Sequence, residues 1–337
     1  MQLIASRQAG SPRYDRYQDT NTTRATGHAS SERLERGEAG QGKAWAWEVN
    51  CAATAAYSQA TPPEQLRLWG LDEIGRMDLK LFVCVVDDDR LLPHFLRHYV
   101  RSGVTEFHVA APQHLANSID GASRNYKVIQ YHDFDAAASF TGGAEAVTKM
   151  RELAQGPEEW VVIVDLDEFV EFSEPVNDLA RKVEAEGGNI ARGIMYDRFA
   201  IDGQLKAFDD DSELSALFPV RARFRRVVMG GNEIKGVLVK GRLRSLAAHH
   251  KFHDEKPYSE MLEISHYKWN DRALERTRLA RDMCAAANSP WDFDGEFKRV
   301  LDHYERHGRF AWETFGGEIV GGSPGFSMPV ARSGRNG

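Results

Sequence analysis

The apolar run Trp160-Val161-Val162-Ile163-Val164 breaks off abruptly into Asp165-Leu166-Asp167-Glu168, and this junction constrains the chain more than any other feature. An unbroken run of branched apolar residues marks a strand covered on both faces, the interior strand of an α/β sheet. Sheets of that kind bind their ligands at the carboxyl ends of the strands. In an extended segment alternate residues project to one side, so Asp165 and Asp167 are expected to face one ligand together. Two hard oxygen donors so placed suit Mg²⁺ or Mn²⁺, and either ion neutralises a diphosphate.

The sequence around the junction has the rhythm such a sheet needs. Leu79 to Val86 is a second near-continuous apolar run, and it ends in Asp87-Asp88-Asp89. From Arg90 to Ser102, Leu92, Phe95, Leu96 and Tyr99 recur at helical spacing, and Gly103 supplies a C-terminal stop. Further strands are predicted over 105–110, 127–131 and 160–164, with a helix over 144–154. Strands and helices in this alternation imply a doubly wound, mainly parallel sheet flanked by helices. Beyond residue 190 the apolar runs at 190–199, 220–228, 234–239 and 262–266 are joined by shorter connections, which predicts extra mixed strands on the same sheet. Helices over 271–287 and 293–307 follow. Three regions result: a poorly structured extension over 1–76, a catalytic domain over 77–315 and a flexible tail over 316–337. The extension has too little apolar periodicity to offset its ordering entropy, and Met77, directly before the first strand, is a candidate start.

Charge and composition remove several classes of function. Lys and Arg number 43 against 50 Asp and Glu, a net charge of −7, which excludes a general electrostatic grip on nucleic acid. The three cysteines, Cys51, Cys84 and Cys284, form no CxxC, which argues against a disulfide scaffold or thiolate zinc site and suits a reducing compartment. No stretch approaches the ~18 apolar residues of a membrane span. The chain therefore reads as cytoplasmic, and any contact with a membrane would be peripheral. Neither GxGxxG nor GxxxxGK[ST] occurs, which lowers nicotinamide and ATP-driven chemistry.

With these residues in view, the chain resembles the GT-A glycosyltransferases related to families 2 and 92. Asp165-Leu166-Asp167-Glu168-Phe169 is similar to their DxDEF signature. Asp87-Asp88 falls where they carry Asn-Glu, and Leu92-Pro93 stands at the spacing of their Leu-Pro. His98-Tyr99 and Gly103-Val104 resemble their Tyr-His and Gly-Val, with the aromatic pair inverted. Arg198-Phe199, Ile234-Lys235, His249-His250 and Ser265-His266-Tyr267-Lys268 extend the likeness, which runs from about 79 to 285. Two departures stand out: Asp87-Asp88 replaces Asn-Glu, and Phe199-Ala200 lacks the glycine of the family's Arg-x-Phe-Gly.

The resemblance implies a metal-dependent transferase moving a sugar from a nucleotide-sugar donor to a hydroxyl acceptor, with inversion. It implies that Asp87 and Asp88 contact the donor's base or ribose, and that Asp165 and above all Asp167 hold Mn²⁺ or Mg²⁺. It further implies a histidine ligand, drawn from His249, His250, His253 and His266. His266 is preferred because it ends an apolar run before a helix, and His250 is second. Lys235 and Arg198 are candidates for stabilising the departing diphosphate. A general base is required as well. Asp197, Asp202, Glu233 and Asp254 stand in suitable regions, and Asp197 is taken first. The arginines at 221, 223, 225 and 226 would form a solvated face or attract an anionic acceptor. Two rivals remain: a haloacid-dehalogenase-type phosphatase with Asp165 as nucleophile and Asp167 as acid, and a GT-A domain that binds nucleotide without turnover.

Overall fold

The computed structural model describes residues 78–132, 142–246, 249–286 and 293–320. Expectations for the extension before residue 78, and for the tail beyond 320, lie outside the described residues. The first strand, β1 (Lys80–Cys84), buries Leu81, Phe82 and Val83 completely, as a strand covered on both faces must. Helix α1 (Leu92–Arg101) carries proline in its first turn, where no intrahelical N–H is lost, and buries Leu92, Phe95, Leu96 and Tyr99 along one face. Each of these side chains contributes roughly 1.5–3 kcal/mol through burial. The chain then reverses at Gly103, whose φ of 103° lies in the left-handed region open to glycine. There follow β2 (Glu106–Ala110), α2 (Ala116–Ala122), β3 (Val128–Tyr131), α3 (Gly142–Ala154) and β4 (Trp160–Ile163). The ladders β1–β2, β2–β3 and β1–β4 are all parallel.

After β4 come β5 (Glu168–Glu171), α4 (Val176–Ala185), β6 (Ile190–Phe199), a short α5 (Leu214–Leu217), β7 (Val220–Ala222) and β8 (Ile234–Lys240). The chain continues through β9 (Ser245–Leu246), β10 (Lys251–Phe252), β11 (Pro257–His266), α6 (Ala273–Ala286), α7 (Phe293–His307) and β12 (Glu318–Ile319). β8 inserts antiparallel between β4 and β6, so β6 runs in the direction of β4. β11 is parallel to β6, while β5, β7 and β12 pair antiparallel with their neighbours. The half of the sheet built before residue 190, β3-β2-β1-β4, is thus parallel, and the later strands make the sheet mixed, as the sequence predicts. β9 and β10 form a separate hairpin.

Alternation along the strands divides the core. Leu81 and Val83 face α1 and α4, Phe82 faces α3 with Val147 and Met150, and a third cluster gathers Phe199, Phe224, Trp269 and Phe310 against α6 and α7. The single strand expected over 220–228 ends at Ala222 and gives way to a π-helical turn, Arg225–Met229, closed by Gly230 at φ 78°. The cause is local. The Arg225 N–H donates to Asp197 Oδ2 at 2.8 Å, which draws the backbone out of the ladder. The expected tail also contributes structure, since Glu318–Ile319 pairs with β7. No helix among the described residues is long and apolar enough to cross a membrane.

Candidate active site

Strand direction assembles the site. The carboxyl ends of β1, β4, β6 and β11 share one edge of the sheet, and the antiparallel β8 begins there. The β4–β8 register, Trp160 with Lys240 and Val162 with Leu238, leads on to Asp165 opposite Lys235. In the β11 ladders His266 is paired with Glu168 on one side and with Asp197 on the other.

Asp165-Leu166-Asp167-Glu168 is a tight turn, closed by the Glu168 N–H donating to the Asp165 carbonyl at 3.0 Å. The turn, rather than strand alternation, therefore sets the two aspartates, and it gives them different partners. Lys235 Nζ donates to Asp165 Oδ2 and to Glu168 Oε2, both at 2.7 Å, and Glu168 Oε2 also accepts the Asp165 N–H at 2.8 Å. The Lys235 side chain is 1% exposed and that of Glu168 2%, whereas Asp165 is 59% exposed. Burial works against the lysine's charge, but Asp165 and Glu168 outweigh it and raise its pKa. Burial, reinforced by Asp165, raises that of Glu168.

Asp167 faces the other way. Its Oδ2 lies 3.4 Å from His266 Nε2, and its carbonyl accepts the Tyr267 N–H at 2.8 Å. The opposite ring nitrogen, Nδ1, is 2.8 Å from Asp197 Oδ1. That oxygen also accepts the Trp269 indole N–H at 2.7 Å. Asp197 acts as acceptor throughout, so the Nδ1 of His266 carries a proton and Nε2 is turned toward Asp167. Burial disfavours the imidazolium, but Asp167 and Asp197 together raise the pKa of His266 to about 9. Burial likewise opposes the Asp167 carboxylate, and His266 overcomes it, holding that carboxyl well below the usual range.

Several sequence assignments change in this setting. Asp197 was expected to be the general base. It is fully buried and its two oxygens already receive three donors, so it braces His266 and does not meet an acceptor. Arg198, the next residue along β6, projects to the opposite face, donates to the Phe218 carbonyl at 3.2 Å and stacks on Tyr267. It is not beside the carboxylates. Lys235 does reach the site, but its ammonium is committed to Asp165 and Glu168. The Nδ1 of His250 stands 2.6 Å from the Ile234 carbonyl, and burial lowers its pKa to about 4. His249 is buried at φ 67°, and neither ring nitrogen has a hydrogen-bond partner among the described residues.

The first-strand loop is tied down by cations. Arg90 binds Asp88 through Nε and Nη2 at 2.8–3.3 Å and reaches Asp271 at 3.1 Å, and Arg276 of α6 lies 3.2 Å from Asp87. Arg221 pairs with Glu263 and Glu318, and Arg223 with Glu233, so the expected arginine face is largely neutralised. Sequence reasoning missed Glu168, Trp269 and Arg276 as parts of the site. Glu168 carried a signal, standing one residue after the second aspartate, but the indole and the guanidinium arrive from segments whose approach only the fold reveals.

Among the described residues no group of three or more His, Cys, Asp or Glu side chains is poised to hold a metal ion. Mg²⁺ and Mn²⁺ do not require one where a phosphate ligand is shared, since one or two carboxylates suffice with substrate oxygens and water. The exposed Asp165 and the Asp167–His266 pair fit that pattern.

No family model matches the chain, and no curated protein matches it. Among solved structures, HddC from Yersinia pseudotuberculosis is 10% identical with a TM-score of 0.26, the match covering 39% of this chain and 63% of that one. A 4-diphosphocytidyl-2C-methyl-D-erythritol synthase from Anaerococcus prevotii is 11% identical with a TM-score of 0.31, over 57% of this chain and 88% of that one. Another structure of that name is 12% identical with a TM-score of 0.26, over 67% and 86%. Likenesses at these TM-scores carry no argument about activity, which rests on the site.

Proposed function

We propose that the chain is a metal-dependent glycosyltransferase that moves a sugar from a nucleotide-sugar donor to a hydroxyl acceptor. The observation that carries this reading is the Asp167–His266 pair, braced by Asp197 at the carboxyl edge of the sheet, with Asp165 exposed one turn away. Asp165, Asp167 and His266 would hold Mn²⁺ or Mg²⁺, which when bound supplies positive charge to a leaving diphosphate. His266 must give up its second proton to serve as a ligand, and the Asp197 hydrogen bond on Nδ1 keeps Nε2 aimed while it does so. Lys235 neutralises Asp165 and Glu168 from beneath, so the edge can carry several carboxylates in a small space without mutual repulsion opening the turn. Asp87 and Asp88 border the edge in the first-strand loop, where a donor's ribose hydroxyls could be accepted.

The phosphatase reading has less support. It needs Asp167 as a general acid, and a carboxyl held ionised by His266 is in the wrong protonation state for that role. Calorimetric titration of UDP, GDP and CDP into the full chain, with and without Mn²⁺, tests the proposal. We expect metal-dependent binding of one nucleotide, lost in Asp167→Asn. A folded protein that binds none of them, or that hydrolyses phosphate esters in an Asp165-dependent way, would overturn it.

A further inference from the structure

We propose that Tyr131 is a nucleophile for acyl transfer, with His108 as its general base and Glu106 positioning the imidazole. The site stands apart from the acidic turn. Tyr131 is the last residue of β3, the end strand of the sheet among the described residues, and its register partner is Ala110, itself paired with Cys84 of β1. The glycosyltransferase reading uses none of these groups, so the inference does not depend on it.

His108 Nε2 lies 2.6 Å from Glu106 Oε1, and His108 Nδ1 lies 2.8 Å from the Tyr131 hydroxyl. His108 and Glu106 are buried, whereas Tyr131 is half-buried. Burial opposes the charge of Glu106, but Lys127 and His108 outweigh it and lower its pKa. A carboxylate only accepts, so Nε2 carries the imidazole proton and Nδ1 is the bare nitrogen that receives the Tyr131 O–H. Burial lowers the pKa of His108 against the pull of Glu106, which keeps the ring neutral and able to take that proton. The ring is also held flat against Phe82, with 4.6 Å between centroids and 19° between planes. A hydroxyl within hydrogen-bond reach of a base that a third group orients is the arrangement that activates a nucleophile. Activation is needed, because burial and Glu106 push the phenol up to about 12.

The surroundings select the electrophile. Tyr131 packs against Phe82, Cys84, Ala110 and Val147, and the cation beside the relay, Lys127, is paired with Glu106. Such a setting disfavours an anionic phosphoryl donor and suits a neutral ester or thioester. In the reaction the Tyr131 oxygen bonds to the acyl carbonyl carbon while its proton passes to Nδ1. The C–O or C–S bond to the leaving group then breaks. Its electron pair goes to the departing oxygen or sulfur, which takes the proton from Nδ1. Glu106 faces the transient imidazolium throughout, and the product is an O-acyl tyrosine.

The test treats the full-length protein with p-nitrophenyl acetate and follows acetylation of individual tyrosines by peptide mass spectrometry, in wild type, His108→Gln and Glu106→Gln. Tyr126 and Tyr196, also half-buried, serve as internal references. In wild type Tyr131 should be acetylated at least about 100-fold faster than either, and more slowly in D₂O than in H₂O. His108→Gln should bring Tyr131 down to the reference rate. Glu106→Gln should slow it about 100-fold, because an amide that donates to Nε2 forces the ring proton onto Nδ1. Equal rates at the three tyrosines of wild type overturn the proposal, and fast labelling of Tyr131 that persists in either Gln variant overturns the relay. Where a lowered unfolding midpoint marks a variant as damaged, the wild-type solvent comparison decides, since equal rates in H₂O and D₂O exclude removal of the phenol proton by a base.

Discussion

His266 Nδ1 lies 2.8 Å from Asp197 Oδ1, and the two residues are register partners in the parallel β6–β11 ladder. Sheet pairing therefore brings Asp197 to Nδ1 and leaves Nε2 of the imidazole facing Asp167. Asp197→Asn should leave the backbone intact but set an amide N–H against one of three donors. We expect a stability loss of about 3 kcal/mol in urea unfolding, the scale of breaking a buried ionic contact. Loss of metal-dependent nucleotide binding should exceed what the stability loss accounts for. Unchanged binding in a folded variant would show that His266 needs no brace.

The same histidine predicts a pH dependence in the metal-free protein. Its pKa is about 9 in the fold against 6.5 ordinarily, so the folded state holds the extra proton across that window. The stabilisation is fully present below pH ~6.5 and is lost as pH rises toward 9. Unfolding free energy measured in urea from pH 6 to 9.5 should fall more steeply for wild type than for His266→Gln. Parallel curves would refute the assignment.

Lys235→Met removes the cation between Asp165 and Glu168 and leaves the buried Glu168 carboxylate uncompensated. A loss of about 3–5 kcal/mol is expected at pH 7.5. The loss should shrink at pH 5, because an unpaired buried carboxyl takes up a proton there, and it should shrink in the double variant with Glu168→Gln. A double-mutant cycle measures this coupling, and additive losses would contradict the pair.

Arg90 holds Asp88, whose side chain is only 6% exposed, while its other face meets the half-exposed Asp271. Arg90→Ala should cost about 1–3 kcal/mol through the stranded Asp88 carboxylate. Asp271→Ala should cost less than about 1 kcal/mol, as exposed ion pairs do. Equal losses in thermal or urea unfolding would contradict this ranking.

Gly193, on β6 opposite Lys235, has no room for a side chain. A Cβ there would stand 2.6 Å from Ile264 Cγ1 and 2.7 Å from its Cδ1, so Gly193→Ala must push β6 from β11 or force Ile264 off its rotamer. A cost of about 1–3 kcal/mol is expected, reduced when Ile264→Val is added. Failure of the second change to restore stability would show the strain to lie elsewhere.

Much of this organisation was legible in the residues. The apolar runs gave β1 through β4, β6, β8 and the end of β11, and the span 293–307 matches α7 residue for residue. Asp167 and His266 were singled out and stand 3.4 Å apart, while Asp165, one turn away, is bound to Lys235. What failed has a common cause. Strand periodicity tells which residues share a face, not whether a polar residue at a strand end looks out or is closed over. Asp197, read as the general base, and Arg198, read as a diphosphate contact, are enclosed by Trp269, Phe218 and Tyr267, which come from distant segments. The arginine run at 221–226 alternates as a strand would, but the Arg225 N–H donates to Asp197 and the chain turns there instead.

β6 takes β8 along one part of its length and β7 along another, while β11 closes its opposite edge. During synthesis from the amino terminus, the acidic turn and its lysine emerge and pair while that opposite edge is still bare. Until residues 257–266 have been made, β6 presents an open, largely apolar template to any passing strand. The last strand to join the interior of the sheet is thus also the one that delivers His266, so the nascent chain covers this edge of β6 in the same step that sets the histidine opposite Asp197.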